Sequence, residues 1–529
     1  MSFRLSRIPE TKPTTRVDRL FVLRERLLQR RVLRQTHIFL LCGCLSMASL
    51  GGAGCARLPD DLPASPALRV PETTATIDRL VDASDTRPTH HQSDAPSEPT
   101  EPSAPYEAWW QHFGLHDLNR LIETALIDHP DLAAASARLR KADQAERLAS
   151  LATKVHYSTE ASVAQERLTR YGVFPPPIGG SSFHQTDVTQ NLSDDLDWWG
   201  KNRALVRAAG NEQQAAYLET EAIRLTVAVT VADSYFACAG IDARLALARQ
   251  LRQHHQTEYD LHKTRLDLGL DSEQWLLDAR AKLALEDDQI HALEYQERAL
   301  RYRLAAAVGA DPDHAEDLPK PSLKAHVPLL PTHLPLGWLA GRPDIAALRK
   351  RVEAVANQRD AARAAFYPNL DLRLMVGLET LQWDTLFRAG ALSTSFGPAL
   401  HLPIFNTNTL RAKWGEQDAA YAQAVAEYNR AILEAARQGV DAYARLLSIE
   451  QRYEAQQHAL EDVQKAHALA QQRQNMGLTS RMEPLEKKGT VLSQRINALE
   501  TEADRLRAWV GLFKTLGGAP PSEKTGQHD

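Results

Sequence analysis

The sequence predicts a mainly α-helical protein in which one unit, a helix followed by a β-hairpin and a long helix that turns back, occurs twice. The first observation is a repeated motif, because residues 265–272 (RLDLGLDS) return 208 positions later as residues 473–480 (RQNMGLTS). The second is a long stretch without proline before each copy. The third is a pair of segments with alternating polar and apolar residues before each stretch. A fixed offset of this kind indicates an internal duplication.

Other short motifs share the offset of 208 residues. The first helices are 213 residues apart, from Pro130 to Pro343, so the second hairpin is expected to be about five residues shorter. The matching pairs are Asp233-Ser-Tyr235 with Asp441-Ala-Tyr443, Gly309-Ala-Asp-Pro312 with Gly517-Gly-Ala-Pro520, and Arg203-Ala204 with Arg411-Ala412.

The composition excludes several classes of protein. The 529 residues carry a formal net charge of −5, which disfavours nucleic acid as a partner. The mean hydropathy of −0.39 excludes a bundle of transmembrane helices, although the alternating strands of a β-barrel remain compatible with it. The sequence has no G-x-S-x-G, Walker or H-E-x-x-H motif, and its four cysteines form no C-x-x-C pair. We therefore expect neither an enzyme nor a metal or cofactor site.

The N-terminus predicts export and a lipid anchor. Residues 1–35 are rich in arginine and precede a short apolar run that ends in small residues, so we assign residues 1–54 to a signal peptide. Cys55 follows directly, as in a bacterial lipobox, and we expect it to carry diacylglycerol and a fatty acyl chain. Gly52 departs from that pattern, which usually has leucine there. Cys44 is the alternative site, and an uncleaved anchor helix is a third interpretation.

Residues 55–105 are rich in proline, serine, threonine and aspartate. A segment of this composition cannot bury a core, so we expect an extended tether between the lipid anchor and the folded units.

The first unit is assigned to residues 106–315. It begins with a helix over residues 118–152 that is interrupted at Pro130, because proline favours a first helical turn. Asp128 or His129 is expected to cap this break.

A hairpin is predicted over about residues 155–199, where residues alternate with a period of two on both sides of a loop rich in proline and glycine. Trp198 and Trp199 end it, either in an interfacial aromatic girdle or in the core. A long helix over residues 202–268 follows, turns at about residues 267–273 and runs back.

The second unit is assigned to residues 316–520. Its hairpin is predicted over about residues 368–405, and residues 369–374 (NLDLRL) place three leucines on one face and charged residues on the other. The returning strand is expected to continue through Leu400, Leu402 and Ile404.

A second long helix over residues 409–476 completes this unit. It turns at about residues 475–482 and returns to about residue 516, and residues 521–529 form a tail.

Each chain therefore supplies four strands, which leave two edges that a bilayer does not tolerate. Closure between chains gives eight strands from two copies or twelve from three. A water-filled lumen favours twelve, since eight strands leave room only for side chains. The long helices need partners and are expected to continue the barrel as a hollow helical cylinder.

The order and doubled spacing of several motifs resemble the TolC family of outer-membrane efflux proteins, and Cys55 is similar to its lipoprotein (NodT-like) branch in resistance-nodulation-division pumps. The resemblance implies a passive homotrimeric conduit for small molecules in the outer membrane that extends into the periplasm. It also implies a periplasmic adaptor and an inner-membrane pump as partners. The motifs are Trp109-Trp110, Pro130-Asp131-Leu132, Asp195-Leu-Asp-Trp-Trp-Gly200, Arg342-Pro-Asp-Ile345, Phe366-Tyr-Pro368, Pro403-Ile-Phe405 and Leu410-Arg411-Ala412.

In this family the two turns form the periplasmic tip that meets the adaptor. The resemblance carries that role to Gly269, Leu270, Gly477 and Leu478. A glycine helix cap with leucine in a hydrophobic contact explains the same residues, and both interpretations can hold.

The resemblance also implies acidic rings that close the tip, at Glu483 and Glu486. These residues share a helix face at a spacing of three, so three chains would present six carboxylates that favour cations. An ordinary solvated face is the alternative. Pro484 departs from the family pattern and affects the expected geometry, as does Asn406-Thr-Asn408 after the second hairpin.

A lipid-anchored coiled-coil scaffold without a pore is the competing function. It explains the helices and Cys55, but it does not explain two alternating hairpins at matching places. The sequence does not indicate the transported substrate.

Overall fold

The computed structural model describes residues 67–68, 108–175, 177–328 and 341–518. The predicted signal peptide, Cys44 and Cys55, the tail and nearly all of the tether therefore lie outside the described residues. Of the tether, Ala67 and Leu68 are described, and Asn429 donates a hydrogen bond from its side chain to the Ala67 carbonyl at 3.0 Å.

The described residues form seven α-helices and four β-strands, joined by short 3-10 segments. In chain order the elements are α1 (His116–Asp128), α2 (Pro130–Leu151), β1 (His156–Arg167), β2 (Ser182–Asp195), α3 (Lys201–Asp267), α4 (Glu273–Val308), α5 (Pro343–Ala364), β3 (Asn369–Thr380), β4 (Leu392–His401), α6 (Thr407–Asn475) and α7 (Met482–Thr515).

The duplication is visible in the elements themselves. The helices α2 and α5 both have 22 residues and both begin with proline. His129 caps α2, because its Nδ1 accepts the backbone N–H of Asp131 at 3.2 Å. The equivalent Arg342 is instead buried, and its guanidinium pairs with Asp344 at 2.7 Å. The two units therefore share a backbone and differ in the side chains at the break.

The long helices α3 and α6 are unbroken, with 67 and 69 residues. Without an internal proline the backbone hydrogen bonds continue, and each helix extends about 100 Å. The apolar part of α3 is long enough to span a membrane, but 56% of that window is buried within the chain. This part of α3 is the centre of the core.

The four strands form one antiparallel sheet in the order β1-β2-β3-β4, so β2 of the first unit pairs with β3 of the second. Leu370, Leu372 and Leu374 lie on one face, as predicted. The prediction that Leu402 and Ile404 continue the returning strand is wrong, because β4 ends at His401.

The early end of β4 has a local cause. In the register of β3 with β4, the residue opposite Leu402 is Pro368, which precedes β3, and Pro368 and Pro403 both lack a backbone N–H for the ladder. The period-two pattern in the sequence continues past the point at which hydrogen bonding stops.

The helices pack as a layer with α3 in the middle. In the described part of the chain, α3 packs against α1, α2, α4, α5 and α7, whereas α6 packs extensively against only α5 and α7. An aromatic cluster fills the centre, where Trp109 stacks on Phe513 at 5.2 Å and Phe113 meets Phe236 at 5.0 Å.

Candidate functional site

The sheet has one mostly apolar and one mostly polar face. The apolar face is solvent-exposed within the chain, with Phe396 74% and Leu392 60% exposed. The large side chains on it are Tyr157, Val163, Val188, Leu192, Leu370, Leu372, Leu374, Val376, Leu378, Leu392, Phe396 and Leu400. The described residues therefore leave uncovered the face that a half-buried soluble sheet would cover.

The polar face carries acidic groups. Asp187 lies directly opposite Glu379 in the pairing of β2 with β3. Like charges directly opposite each other destabilise a sheet unless water screens them. This face is therefore suited to contact with water.

Trp198 and Trp199 follow β2 and are not part of the core of the chain, since both are more than half exposed. Trp199 stacks on Tyr367 at 4.5 Å, and its indole N–H donates to the Pro368 carbonyl at 2.9 Å. The stack joins the ends of the two hairpins.

The first predicted tip turn is a glycine helix cap. Gly269 has a φ of 71°, and the N–H of Leu270 donates to the Arg265 carbonyl while that of Gly269 donates to Leu266. This pattern is a Schellman motif, which satisfies the last carbonyls of α3. The Leu270 side chain makes little use of the usual hydrophobic contact, because it is 63% exposed.

The second turn repeats this backbone. Gly477 also has a φ of 71°, and the N–H of Leu478 donates to the Arg473 carbonyl at 2.9 Å. Leu478 is 66% exposed. Each turn thus presents an exposed leucine on a rigid cap.

The two turns lie at the same end of the helical layer. Contacts between antiparallel α3 and α7 run from Asp233 with Arg507, through Arg244 with Glu500, to His254 beside Gly489. Along this series the contacts move towards the C-terminus of α3 and the N-terminus of α7. The end of α3 and the beginning of α7 therefore lie at the same end of the layer. The structure therefore brings together Leu270 and Leu478 at one end, although the sequence places them 208 residues apart.

Polar contacts hold the first turn. Asp271 accepts hydrogen bonds from Arg265 at 2.9 Å and from His262 at 2.8 Å. The hydrogen bond from Arg265, followed by that from His262, lowers the pKa of Asp271. The Trp275 ring stacks on His262.

The predicted gate residues differ from each other in their surroundings. Glu483 is half-buried and pairs with Arg473 at 2.9 Å across the second turn, whereas Glu486 is exposed. Pro484 is buried in the first turn of α7, where proline is tolerated. The sequence analysis placed Arg473 in the repeated motif but gave it no role, and its guanidinium compensates part of the acidic charge.

A buried histidine–glutamate cluster lies where α3, α4 and α7 meet. Glu258 accepts a hydrogen bond from His255 Nδ1 at 3.0 Å, and His254 Nε2 lies 3.2 Å from its other oxygen. On α4, Glu286 lies 3.9 Å from His255 Nε2. On α7, a Cβ placed at Gly489 would lie 3.2 Å from His254, so this glycine allows the close approach.

Burial raises the pKa of Glu258, but the two histidines beside it outweigh burial and lower it to about 2. Burial raises the pKa of Glu286, which His255 only partly offsets. The sequence analysis missed this cluster, although His254 and Glu258 at a spacing of four on one helix were a usable signal. Within the described ranges, no group of three or more His, Cys, Asp or Glu side chains is arranged to hold a metal ion.

The family described as outer membrane efflux protein matches residues 121–310 and again residues 336–518. The first match lies within residues 106–315 and the second within residues 316–520.

Relatives and solved structures agree with this match. The chain is 30% identical to the multidrug resistance outer membrane protein MdtP of Escherichia coli O6:H1 over 435 residues, covering 79% of this chain and 88% of the relative. It is 27% identical to the pyoverdine export outer membrane protein OpmQ of Pseudomonas putida, covering 78% and 88%. The crystal structure of the outer membrane protein VceC from Vibrio cholerae superposes with a TM-score of 0.70 at 28% identity, covering 78% of this chain and 99% of VceC.

The Glu258 cluster predicts a pH dependence of stability. The pKa of about 2 lies below the ordinary value of 4.5, so the ionised carboxylate stabilises the fold fully above pH 4.5 and progressively less as the pH falls towards 2. We expect Glu258→Gln to destabilise the protein by on the order of 2–3 kcal/mol at pH 7, and the difference from wild type to narrow between pH 5 and pH 3.

Thermal unfolding followed by circular dichroism across this pH range measures the effect. Glu461→Gln, at an exposed position of α6, is the matched control and should change little. Parallel curves for wild type and Glu258→Gln would show that the cluster does not contribute in this way.

Proposed function

The chain belongs to the outer membrane efflux protein family, and on that premise we propose that three copies form a passive conduit for small molecules. The protein is an efflux channel of the outer membrane. The trimer, the anchor, the tip contacts and the gate are the proposed parts. The observation that carries the proposal is a four-stranded sheet with an exposed apolar face and two free edges.

Twelve strands fit this sheet better than eight. Eight strands enclose a lumen filled by side chains, whereas the polar face of this sheet opposes Asp187 to Glu379. That arrangement favours water between the charges. The competing scaffold without a pore leaves the apolar face of the sheet and its matching hairpins without a role.

We assign the two turns to contact with a periplasmic adaptor, which would couple the conduit to an inner-membrane pump. Leu270 and Leu478 are exposed at one end of the helices, with Leu268 and Met476 exposed beside them. The Schellman hydrogen bonds at each turn hold the backbone in one conformation, so these apolar side chains are presented with little loss of loop entropy on binding. Gly269 and Gly477 thus support the contact, and the leucines make it.

Glu483 and Glu486 are the proposed gate residues of this tip. Because Glu483 pairs with Arg473, Glu486 would supply more of the uncompensated charge. A ring of three exposed carboxylates attracts cations and resists close approach of the chains.

The proposed anchor is a diacylglycerol and a fatty acyl chain on Cys55, which would hold the protein to outer-membrane lipid. The chain needs no other cofactor for passive transport, and no enzymatic step is proposed. The names of the relatives refer to different cargoes: MdtP is named for multidrug resistance and OpmQ for pyoverdine export. We therefore define the substrate class only as small exported molecules.

Electron microscopy of the mature protein in mild detergent tests the conduit. We expect three-fold symmetric top views with a central lumen, and side views of a narrow barrel on a long tube. Elongated particles without a lumen would favour the anchored scaffold.

Charge reversal tests the gate. In planar bilayers, Glu486→Lys should reduce the preference for cations, and the double variant with Glu483→Lys should reduce it further and change the conductance, because added positive charge repels cations. Glu461→Lys, at an exposed position of α6 about 20 Å from the second turn, is the control. Unchanged conductance and selectivity in the double variant would remove both residues from the gate.

Mass spectrometry of the mature N-terminus tests the anchor. Cys55→Ser should abolish the lipid modification and release the protein from the membrane pellet after the barrel is disrupted, whereas Cys44→Ser should leave the modification in place. A lipidated N-terminus at Cys44 would contradict the assignment.

A further inference from the structure

Two neighbouring cavities lie at the end of the sheet that carries the hairpin loops. The first has a volume of about 810 Å³ and a mostly apolar wall, formed by Leu168, Phe174, Ile178, Phe183 and Leu381. The second has a volume of about 480 Å³ and a more polar wall, which includes Gln185, Asp187, Glu379 and Thr380. Leu381 and Gln382 line both cavities, so the two cavities adjoin each other.

The strand register places the cavities on the polar face of the sheet. In the pairing of β1 with β2, Phe183 lies opposite Glu166. Phe183 and Asp187 are separated by four residues of β2 and therefore share a face. Every other residue of β2 on this face, from residue 185 to residue 195, is polar. Phe183 thus brings an aromatic ring to a face that is otherwise suited to water.

The loop between β1 and β2 contributes Phe174 and Ile178 to the first cavity. The N–H of Gly180 donates to the Leu168 carbonyl at 3.0 Å and closes the loop. A Cβ at Gly179 would lie 2.4 Å from the Phe174 carbonyl oxygen, so the loop can fold back in this way only with glycine there. The hydrogen bond and the close approach hold the apolar wall in place before a ligand arrives, as in most small-molecule sites.

Negative charge borders this apolar wall. Glu166 lines the first cavity, and Asp187 and Glu379 line the second. The described residues that line the two cavities include neither lysine nor arginine. His184 also borders the first cavity, but its side chain alternates to the other face of β2. A ligand in these cavities therefore meets carboxylates without a compensating cation from the lining side chains of this face.

The three carboxylates differ in their own contacts. Asp187 accepts hydrogen bonds from Ser162 at 3.2 Å and from Gln185 at 3.0 Å, which fix it in the wall. Glu166 and Glu379 are exposed. These two glutamates are therefore the side chains that a cationic group can approach.

We propose that the two cavities form one binding site for amphipathic organic cations. The apolar part of the ligand occupies the first cavity, where the ring of Phe183 also attracts a cation at its face. The cationic group lies towards Glu166 and Glu379, and the same carboxylates oppose the binding of anions. Both volumes lie in the range of pockets that hold small molecules.

The inference rests on the proposed conduit and adds a preferred class of cargo to it. The helices α2, α3, α5 and α6 join the strands at the ends opposite the hairpin loops. In the conduit, the site therefore lies on the lumen side of the barrel, at the end through which cargo leaves.

Saturation-transfer difference NMR of the mature protein in mild detergent tests the ligand class, with benzyltrimethylammonium as the probe. We expect saturable binding of this compound. Phenylmethanesulfonate has the same benzyl group with a negative charge, and tetramethylammonium has the charge without the ring, so both should bind at least roughly fivefold more weakly. Micelles without protein are the blank. Equal binding of the three compounds would overturn the proposal.

Variants test the position of the site. Phe183→Ala and Glu379→Gln should each raise the Kd for benzyltrimethylammonium by roughly fivefold or more, because one removes the ring and the other the charge. Leu381→Ala changes the same wall and decides the test if Phe183→Ala does not fold. Met375→Ala and Glu160→Gln, on the same face outside the cavities, are the matched controls and should leave the Kd unchanged.

The outcomes separate this site from the conduit. An equal loss of affinity in Glu160→Gln and Glu379→Gln would mean a general attraction of cations to the acidic face, and it would overturn the site. A trimeric wild-type protein that does not bind the probe also overturns the site and leaves the conduit intact. Binding with the expected variant effects, in a wild-type protein that is monomeric on native mass spectrometry, supports the site and overturns the conduit.

Discussion

The rest of the structure depends on the unsatisfied hydrogen-bonding groups at the edges of the sheet. Four strands leave β1 and β4 each with one free edge, and hydrocarbon offers no donors or acceptors to replace a neighbouring strand. The apolar face of the sheet suits contact with lipid, so in the proposed conduit the two edges are paired by other copies of the chain. The long helices also need partners outside the chain, because α6 lacks neighbours equivalent to those that α3 has among the described residues.

In the proposed conduit, duplication lets one type of contact serve both within a chain and between chains. The pairing of β2 with β3 joins the two units of one chain. In the proposed conduit, the free edges of β1 and β4 are paired between copies.

The two turns show how a shared backbone carries different polar contacts. Both are Schellman caps with the same glycine φ. In the first, Asp271 is fixed by Arg265 and His262, whereas in the second the equivalent arginine, Arg473, reaches Glu483. An identical fold at the tip therefore presents apolar residues in both turns and places a partly compensated carboxylate in one of them.

The sequence by itself determined the features that depend on neighbouring residues. The unbroken helices, the break at Pro130, the glycine caps and the alternation of Leu370, Leu372 and Leu374 were all predictable, because backbone dihedrals and strand pleat are local properties. The internal duplication made the prediction of these elements more accurate, because each type of element occurs twice in the sequence. The end of β4 was misjudged because the alternation continued beyond Pro403.

Only the tertiary structure decided which distant groups meet. The pairing of β2 with β3 and the ion pair of Arg473 with Glu483 join residues on different elements. The packing of neighbouring helices buries Glu258 beside two histidines. Sequence spacing does not encode the angle and distance at which separate helices cross, and these determine which charges lose water. The order of the elements could thus be predicted from the sequence, whereas the ion pairs and hydrogen bonds between elements depend on how the helices and strands pack.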